Sequence, residues 1–245
     1  MYAKLSTGKI HYKTWETRAG NPWLILLHDA LGSVAQWKTF PKKLQQCFSF
    51  NILAYDRIGH GLSAEDKMQL SPEYLIAETE TLKELMEFLN IQQAYILGHS
   101  DGATLSLLFA ARYPKLCIKV VSIAAHVIVE ETTLQGIRDT QKIYTQRLKP
   151  LLEKYHNSKA DALFTKWTSI WLNPSFASWN MLLEIPNIQI PLLAFQGDSD
   201  EYGTIEQLRK IAKAPRATIA EIKGCKHYPQ QEKPDEVMEL LKTFF

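Results

Sequence analysis

Three side chains, far apart in this chain, have the types needed to cleave an acyl bond: Ser100, Asp200 and His227. A serine hydroxyl is a poor nucleophile near neutral pH. It needs a base within hydrogen-bond reach, and a carboxylate to orient that base and stabilise its charge. Ser100 sits in Gly98-His99-Ser100-Asp101-Gly102, after an apolar stretch (93–97) and before a helical one (103–113) that stops at Pro114. A serine between two glycines on a strand-to-helix turn is forced into a strained backbone that holds Oγ clear of the sheet. The helix that follows begins with free N–H groups aimed at the reacting centre.

The chain order such a turn demands is serine, then acid, then histidine. His227 follows Gly224 in the loop after the last expected strand and is the base in this reading. His28, His60, His99 and His126 come too early; His11 lies in an early strand and His156 in a helical insertion. The acid is Asp200 or Asp198, both just past a strand ending at Gln196. We take Asp200, three past Gly197, as having room to reach back to His227. An oxyanion needs two N–H donors. The amide of Asp101 is one; the loop after Leu27 supplies the other, Ala30 in preference to Leu31.

These residues need a frame. Residues 9–15 alternate and read as an early strand paired with a neighbour by a hairpin. Residues 23–27, 50–55, 93–97 and 118–124 are apolar runs typical of strands buried on both faces. Ser33 is expected to cap a helix carrying Trp37 and Phe40. Ser71-Pro72-Glu73 is expected to open a long helix with Leu75, Leu82, Leu85 and Leu89 as its apolar stripe. Strand and helix alternate up to His126, which predicts a mostly parallel sheet with helices on both faces. The pattern then breaks. Residues 127–186 show aromatics at helical spacing and no convincing strand, and read as a helical cap inserted into a core of residues 1–126 and 187–245. A minority of its aromatics should face a pocket. Tyr144, Trp167 and Trp171 are the candidates, with Asp29 and His126 from the sheet side.

Composition excludes several function classes. The 245 residues carry a formal net charge of +2 with no basic run, which gives no pull towards nucleic acid or an anionic membrane. The three cysteines, Cys47, Cys117 and Cys225, form no C-x-x-C pair, so neither a zinc site nor a disulfide framework is expected. The first residues lack the apolar core of a signal peptide, and no stretch approaches the ~18 apolar residues of a membrane span. A cytoplasmic setting is the expectation.

Taken together, the Ser100 pentapeptide, Asp56-Arg57-Ile58-Gly59-His60-Gly61-Leu62-Ser63, Gly197-Asp198-Ser199-Asp200 and Gly224-Cys225-Lys226-His227 resemble the α/β-hydrolase superfamily. Within it the chain is similar to the cap-bearing, cofactor-free carboxylesterases, enol-lactonases and biphenyl-hydrolase-like (valacyclovir hydrolase) group. Ser-Asp-Gly at the turn and Gly136-Ile137-Arg138-Asp139 carry the likeness to the last of these. The resemblance implies an α/β fold with an eight-stranded sheet and a helical cap between strands six and seven. It implies a serine hydrolase of a small ester or lactone that needs no cofactor or metal. Alternatives are a carbon–carbon bond hydrolase or an aminopeptidase or amidase using the same triad, and a ligand receptor without turnover. The family loop usually reads His-Gly where this chain has His28-Asp29. Aspartate tolerates a left-handed turn less well than glycine, so either the turn is milder here or local hydrogen bonds hold Asp29. The Asp56-Arg57 loop is read as a structural brace. If Asp29 or Asp101 faces the pocket, it favours a cationic substrate group; the alternative is that both are bonded locally.

Overall fold

Leu24 and Leu26 join one apolar cluster and Ile25 and Leu27 another, and all four are buried. A strand buried on both faces needs cover on both faces, and that sets the architecture. The structure, a computed structural model, describes residues 1–66, 71 and 73–245. Its strands are β1 (Tyr2–Leu5), β2 (Gly8–Trp15), β3 (Trp23–Leu27), β4 (Asn51–Tyr55), β5 (Ala94–His99), β6 (Cys117–Ile123), β7 (Leu192–Gly197) and β8 (Ala217–Ile222). They form one eight-stranded sheet in the order β1-β2-β4-β3-β5-β6-β7-β8. β1 and β2 make an antiparallel hairpin and β2 runs antiparallel to β4. Every pairing from β4 across to β8 is parallel.

The helices are α1 (Phe40–Cys47), α2 (Tyr74–Phe88), α3 (Asp101–Arg112), α4 (Glu131–Ile143), α5 (Lys149–His156), α6 (Ala160–Trp171), α7 (Ile205–Ile211), α8 (Pro229–Glu232) and α9 (Pro234–Phe244). Leu44 of α1 and Val237 and Leu241 of α9 pack on the Leu24 face. Leu82 and Leu85 of α2 and Leu105 and Phe109 of α3 pack on the Ile25 face. Between β6 and β7 the chain is helical, α4 running through a π-helical turn (Tyr144–Leu148) into α5 and α6, with an isolated bridge from Ile128 to Asn180.

Two local expectations fail. Ser33 does not cap a helix through its side chain. A short 3-10 turn (Val34–Trp37) comes first, and the Val34 N–H is taken by Asp56 Oδ1 at 2.6 Å. Trp37 therefore ends that turn while Phe40 begins α1, and the two rings stack 5.7 Å apart. The long helix starts at Tyr74 with Glu73 as its flanking residue, and Ser71 Oγ instead accepts from the Glu73 N–H at 3.1 Å. Pro72, expected at its first turn, lies outside the described residues.

Candidate active site

Ser100 joins β5 to α3 with φ 54° and ψ −121°, a conformation a side-chain-bearing residue rarely adopts. The flanking glycines make the turn sterically possible. A Cβ on Gly98 would lie 2.0 Å from the Gly102 carbonyl oxygen, and one on Gly102 would lie 2.1 Å from that of Leu27. Asp101, as the first residue of α3, carries an N–H with no acceptor inside the helix.

The loops after β7 and β8 are stitched together. Asp198 N–H donates to Ile222 O at 3.0 Å and Ser199 N–H to Cys225 O at 2.9 Å. Gly197 permits this approach, since a Cβ there would meet Cys225 O at 2.1 Å. The stitching carries Asp200 to His227, whose Nδ1 donates to both carboxylate oxygens at 2.9 Å. His227 Nε2 then accepts from Ser100 Oγ at 3.0 Å. Asp198 is turned away, accepting from Gly224 N–H at 2.9 Å and facing Lys223.

Burial opposes charge on both Asp200 and His227, and in each case the partner wins. The imidazole's charge and hydrogen bonds hold Asp200 below its ordinary range against the upward pull of burial. Burial would lower His227, but the charge and hydrogen bond of Asp200, and then the charge of Asp29, raise it above 6.5. His99 braces the base from behind: its Nε2 donates to the His227 carbonyl at 2.8 Å, and its Nδ1 stands 3.5 Å from Asp29 Oδ2.

The loop after β3 is held tightly. Leu31 N–H donates to Asp29 Oδ1 at 2.9 Å, so it is already committed, and Ala30 remains as the candidate second donor. Asp29 is not among the positive-φ residues. Its carbonyl accepts from Arg57 Nη2 at 2.9 Å and from His28 Nδ1 at 2.8 Å. Both ways of accommodating aspartate at this turn are therefore in use. The Asp56-Arg57 loop braces the site. Asp56 accepts from His11 Nδ1 at 2.7 Å as well as from Val34 N–H, and Arg57 Nη1 lies 3.7 Å from Asp101 Oδ2. Asp101 also accepts from Tyr74 Oη at 2.7 Å, so its carboxylate is already compensated.

A chamber of about 50 Å³ stands over Ser100. Asp29, Ala30, Asp101, His126, Trp167 and Trp171 all line it, alongside Ser100 and His227. Tyr144 does not. It stacks on Phe164 with ring centroids 3.8 Å apart, and its hydroxyl donates to Asp161 at 2.5 Å, in a separate small cluster of the insertion. Tyr202 and Tyr228 line the chamber and were not singled out in the sequence. The Tyr202 ring lies 4.7 Å from that of His227, and its N–H donates to Asp200 Oδ1 at 2.8 Å. Their nearness in sequence to Asp200 and His227 was the available signal. Among the described residues no group of three or more side chains is arranged to hold a metal ion.

With this geometry in hand, residues 22–148 match the family model of the alpha/beta hydrolase fold. The chain belongs to the α/β-hydrolase family. Human serine hydrolase BPHL is 28% identical to this α/β hydrolase over 202 residues, covering 78% of this chain and 67% of that protein. The 2-hydroxy-6-oxononadienedioate/2-hydroxy-6-oxononatrienedioate hydrolase of Comamonas testosteroni is 20% identical over 247 residues, covering 90% and 86%. The crystal structure of the enol-lactonase from Burkholderia xenovorans LB400 superposes with a TM-score of 0.79 at 21% identity, covering 100% and 99%. The family places this α/β hydrolase among hydrolytic enzymes. No helix among the described residues is long and apolar enough to cross a membrane.

Proposed function

We propose that this α/β hydrolase is a serine hydrolase that cleaves a small carboxylic ester or lactone through an acyl-enzyme on Ser100. The observation that carries the reading is the continuous relay from Asp200 through His227 to Ser100, with 2.9 Å and 3.0 Å contacts, under a small chamber. His227 Nε2 takes the Ser100 proton as Oγ attacks the substrate carbonyl, and Asp200 stabilises the imidazolium that forms. The Asp101 and Ala30 N–H groups receive the oxyanion, each worth about 3–4 kcal/mol of barrier. The imidazolium then protonates the leaving alcohol. Water, deprotonated by His227, releases the acid. Residues 127–186 act as a cap whose Trp167 and Trp171 wall the chamber and exclude bulk water. Three unpaired cysteines fit a reducing, cytoplasmic setting.

A second reading, hydrolysis of a carbon–carbon bond next to a carbonyl, is favoured by the likeness to the Comamonas testosteroni hydrolase. A panel of simple esters, lactones, aminoacyl anilides and a vinylogous diketone separates the two. Turnover of esters or lactones well above the diketone supports the proposal, and the reverse order overturns it.

A further inference from the structure

Two chambers meet at Ala30, Asp101 and Trp167. The chamber over Ser100 is small, about 50 Å³. The second, about 320 Å³, lies between the loop after β4, helix α2 and helix α6. Ile58, Ile76, Ala77 and Ile170 give it apolar walls. Among the described residues, three of those lining it carry a buried polar atom with no hydrogen-bond partner: Glu78 Oε2, Arg57 Nε and Thr7 Oγ1. Glu78 is 7% exposed and Arg57 2%. Buried polar atoms are nearly always paired, because leaving one unpaired costs stability. Three among the lining of one cavity that shares Ala30, Asp101 and Trp167 with the chamber over Ser100 mark a binding end.

The side on which each half of a substrate lies follows from His227. The leaving alcohol must stay near the imidazole that protonates it, and His227 lines the first chamber and not the second. The acyl arm therefore extends the other way, past Ala30 and Asp101. Charge then selects its terminus. Among the described residues that line it, Arg57 pairs with Asp101, Lys166 with Asp66 and Arg112 with Glu80, which leaves Glu78 and the outer Glu73 in excess. A further carboxylate or phosphate would meet this acidic surplus. An ammonium has no lone pair to offer Arg57 Nε. A hydroxyl accepts from Arg57 and donates to Glu78.

We propose that the second chamber holds the acyl arm of the substrate, and that this arm ends in a neutral hydroxyl bonded to Glu78 and Arg57. The inference rests on the ester-hydrolase reading. Burial, opposed by Arg57 and Lys166, raises the Glu78 carboxyl to about 7.

The test is kcat/KM on p-nitrophenyl esters from butyrate to octanoate, each with a methyl, hydroxyl, carboxylate or ammonium terminus, and on p-nitrophenyl acetate as a control. At one chain length the hydroxyl ester should exceed its methyl counterpart about tenfold or more, chiefly through KM, and should exceed both charged esters. Glu78→Leu should reduce that preference to about twofold or less, whereas Glu78→Gln, which keeps a donor and an acceptor, should retain most of it. Failure on the acetate would defeat the hydrolase reading itself. Turnover of acetate with no hydroxyl preference at any length means that the chamber holds water only and overturns the proposal alone. A charged terminus ranking first, or a preference that survives in folded Glu78→Leu, overturns it as well. Should Glu78→Leu not fold, the wild-type series still decides.

Discussion

At Ser100 the backbone stores strain that Gly98 and Gly102 allow, and the result is a hydroxyl presented to His227 at 3.0 Å. The base is the side chain on which pH acts. Its pKa is raised because Asp200, and then Asp29, outweigh the burial of the ring. The neutral imidazole is the active form, so kcat/KM should fall on the acid side with an apparent pKa above 6.5. Asp29→Asn keeps an acceptor for Leu31 N–H but removes one negative charge facing the base. Asp200, Glu201 and His126 remain around the ring. The acid limb of the profile should therefore move to lower pH. A limb that stays in place shows that Asp29 does not act on His227 through its charge. Asp200→Asn should lower kcat by about 10³–10⁴, measured on the same ester, because the imidazole loses both its orienting and its charge partner. A loss of only a few-fold would point to another acid.

At the scale of elements, one tie that holds residues 127–186 over the sheet is a buried histidine. His156, at the end of α5, accepts from Gly61 N–H through Nδ1 at 2.8 Å and donates to Leu31 O through Nε2 at 3.0 Å. One side chain thus ties the insertion to the loop after β4 and to the loop that carries Ala30. His156→Leu leaves both groups unpaired in a buried site, at a cost of about 1–3 kcal/mol each. The melting temperature should fall, and KM should rise more than kcat drops; an unchanged melting temperature would refute the latch. The convergence of Ser100, Asp200 and His227 was legible because parallel strands end on one edge, and the loops after β5, β7 and β8 meet there. The Ser33 cap was misread because the carboxylate that takes the Val34 N–H, Asp56, is 22 residues away, beyond any local pattern. Tyr144 was misread because helical spacing gives an apolar stripe without saying what the stripe meets, and Phe164 meets it. Glu78 gave no signal at all. It sits between Leu75 and Leu82 in a helix with other acids, and only the tertiary structure puts it against Arg57 and a cavity.

Across the whole molecule, that carboxyl couples stability to pH. Its pKa moves from 4.5 to about 7 on folding, chiefly through burial. Between those values the folded chain holds a proton that the unfolded chain has released, so stability falls as pH rises from 4.5 towards 7. The shift corresponds to about 3 kcal/mol. Glu78→Gln should remove this component, so the gap in unfolding free energy between variant and wild type should widen in favour of the variant over that range; parallel pH curves would rule the coupling out. The same site-centred economy shows in the sheet, which brings residues 100, 200 and 227 to one edge from three different loops. Fluorophosphonate labelling followed by peptide mapping tests this convergence most directly. A single phosphonyl adduct should appear on Ser100, and it should be absent from Ser100→Ala and strongly slowed in a folded His227→Ala variant. A folded wild-type protein that takes no label, or takes it equally well without His227, would contradict the account.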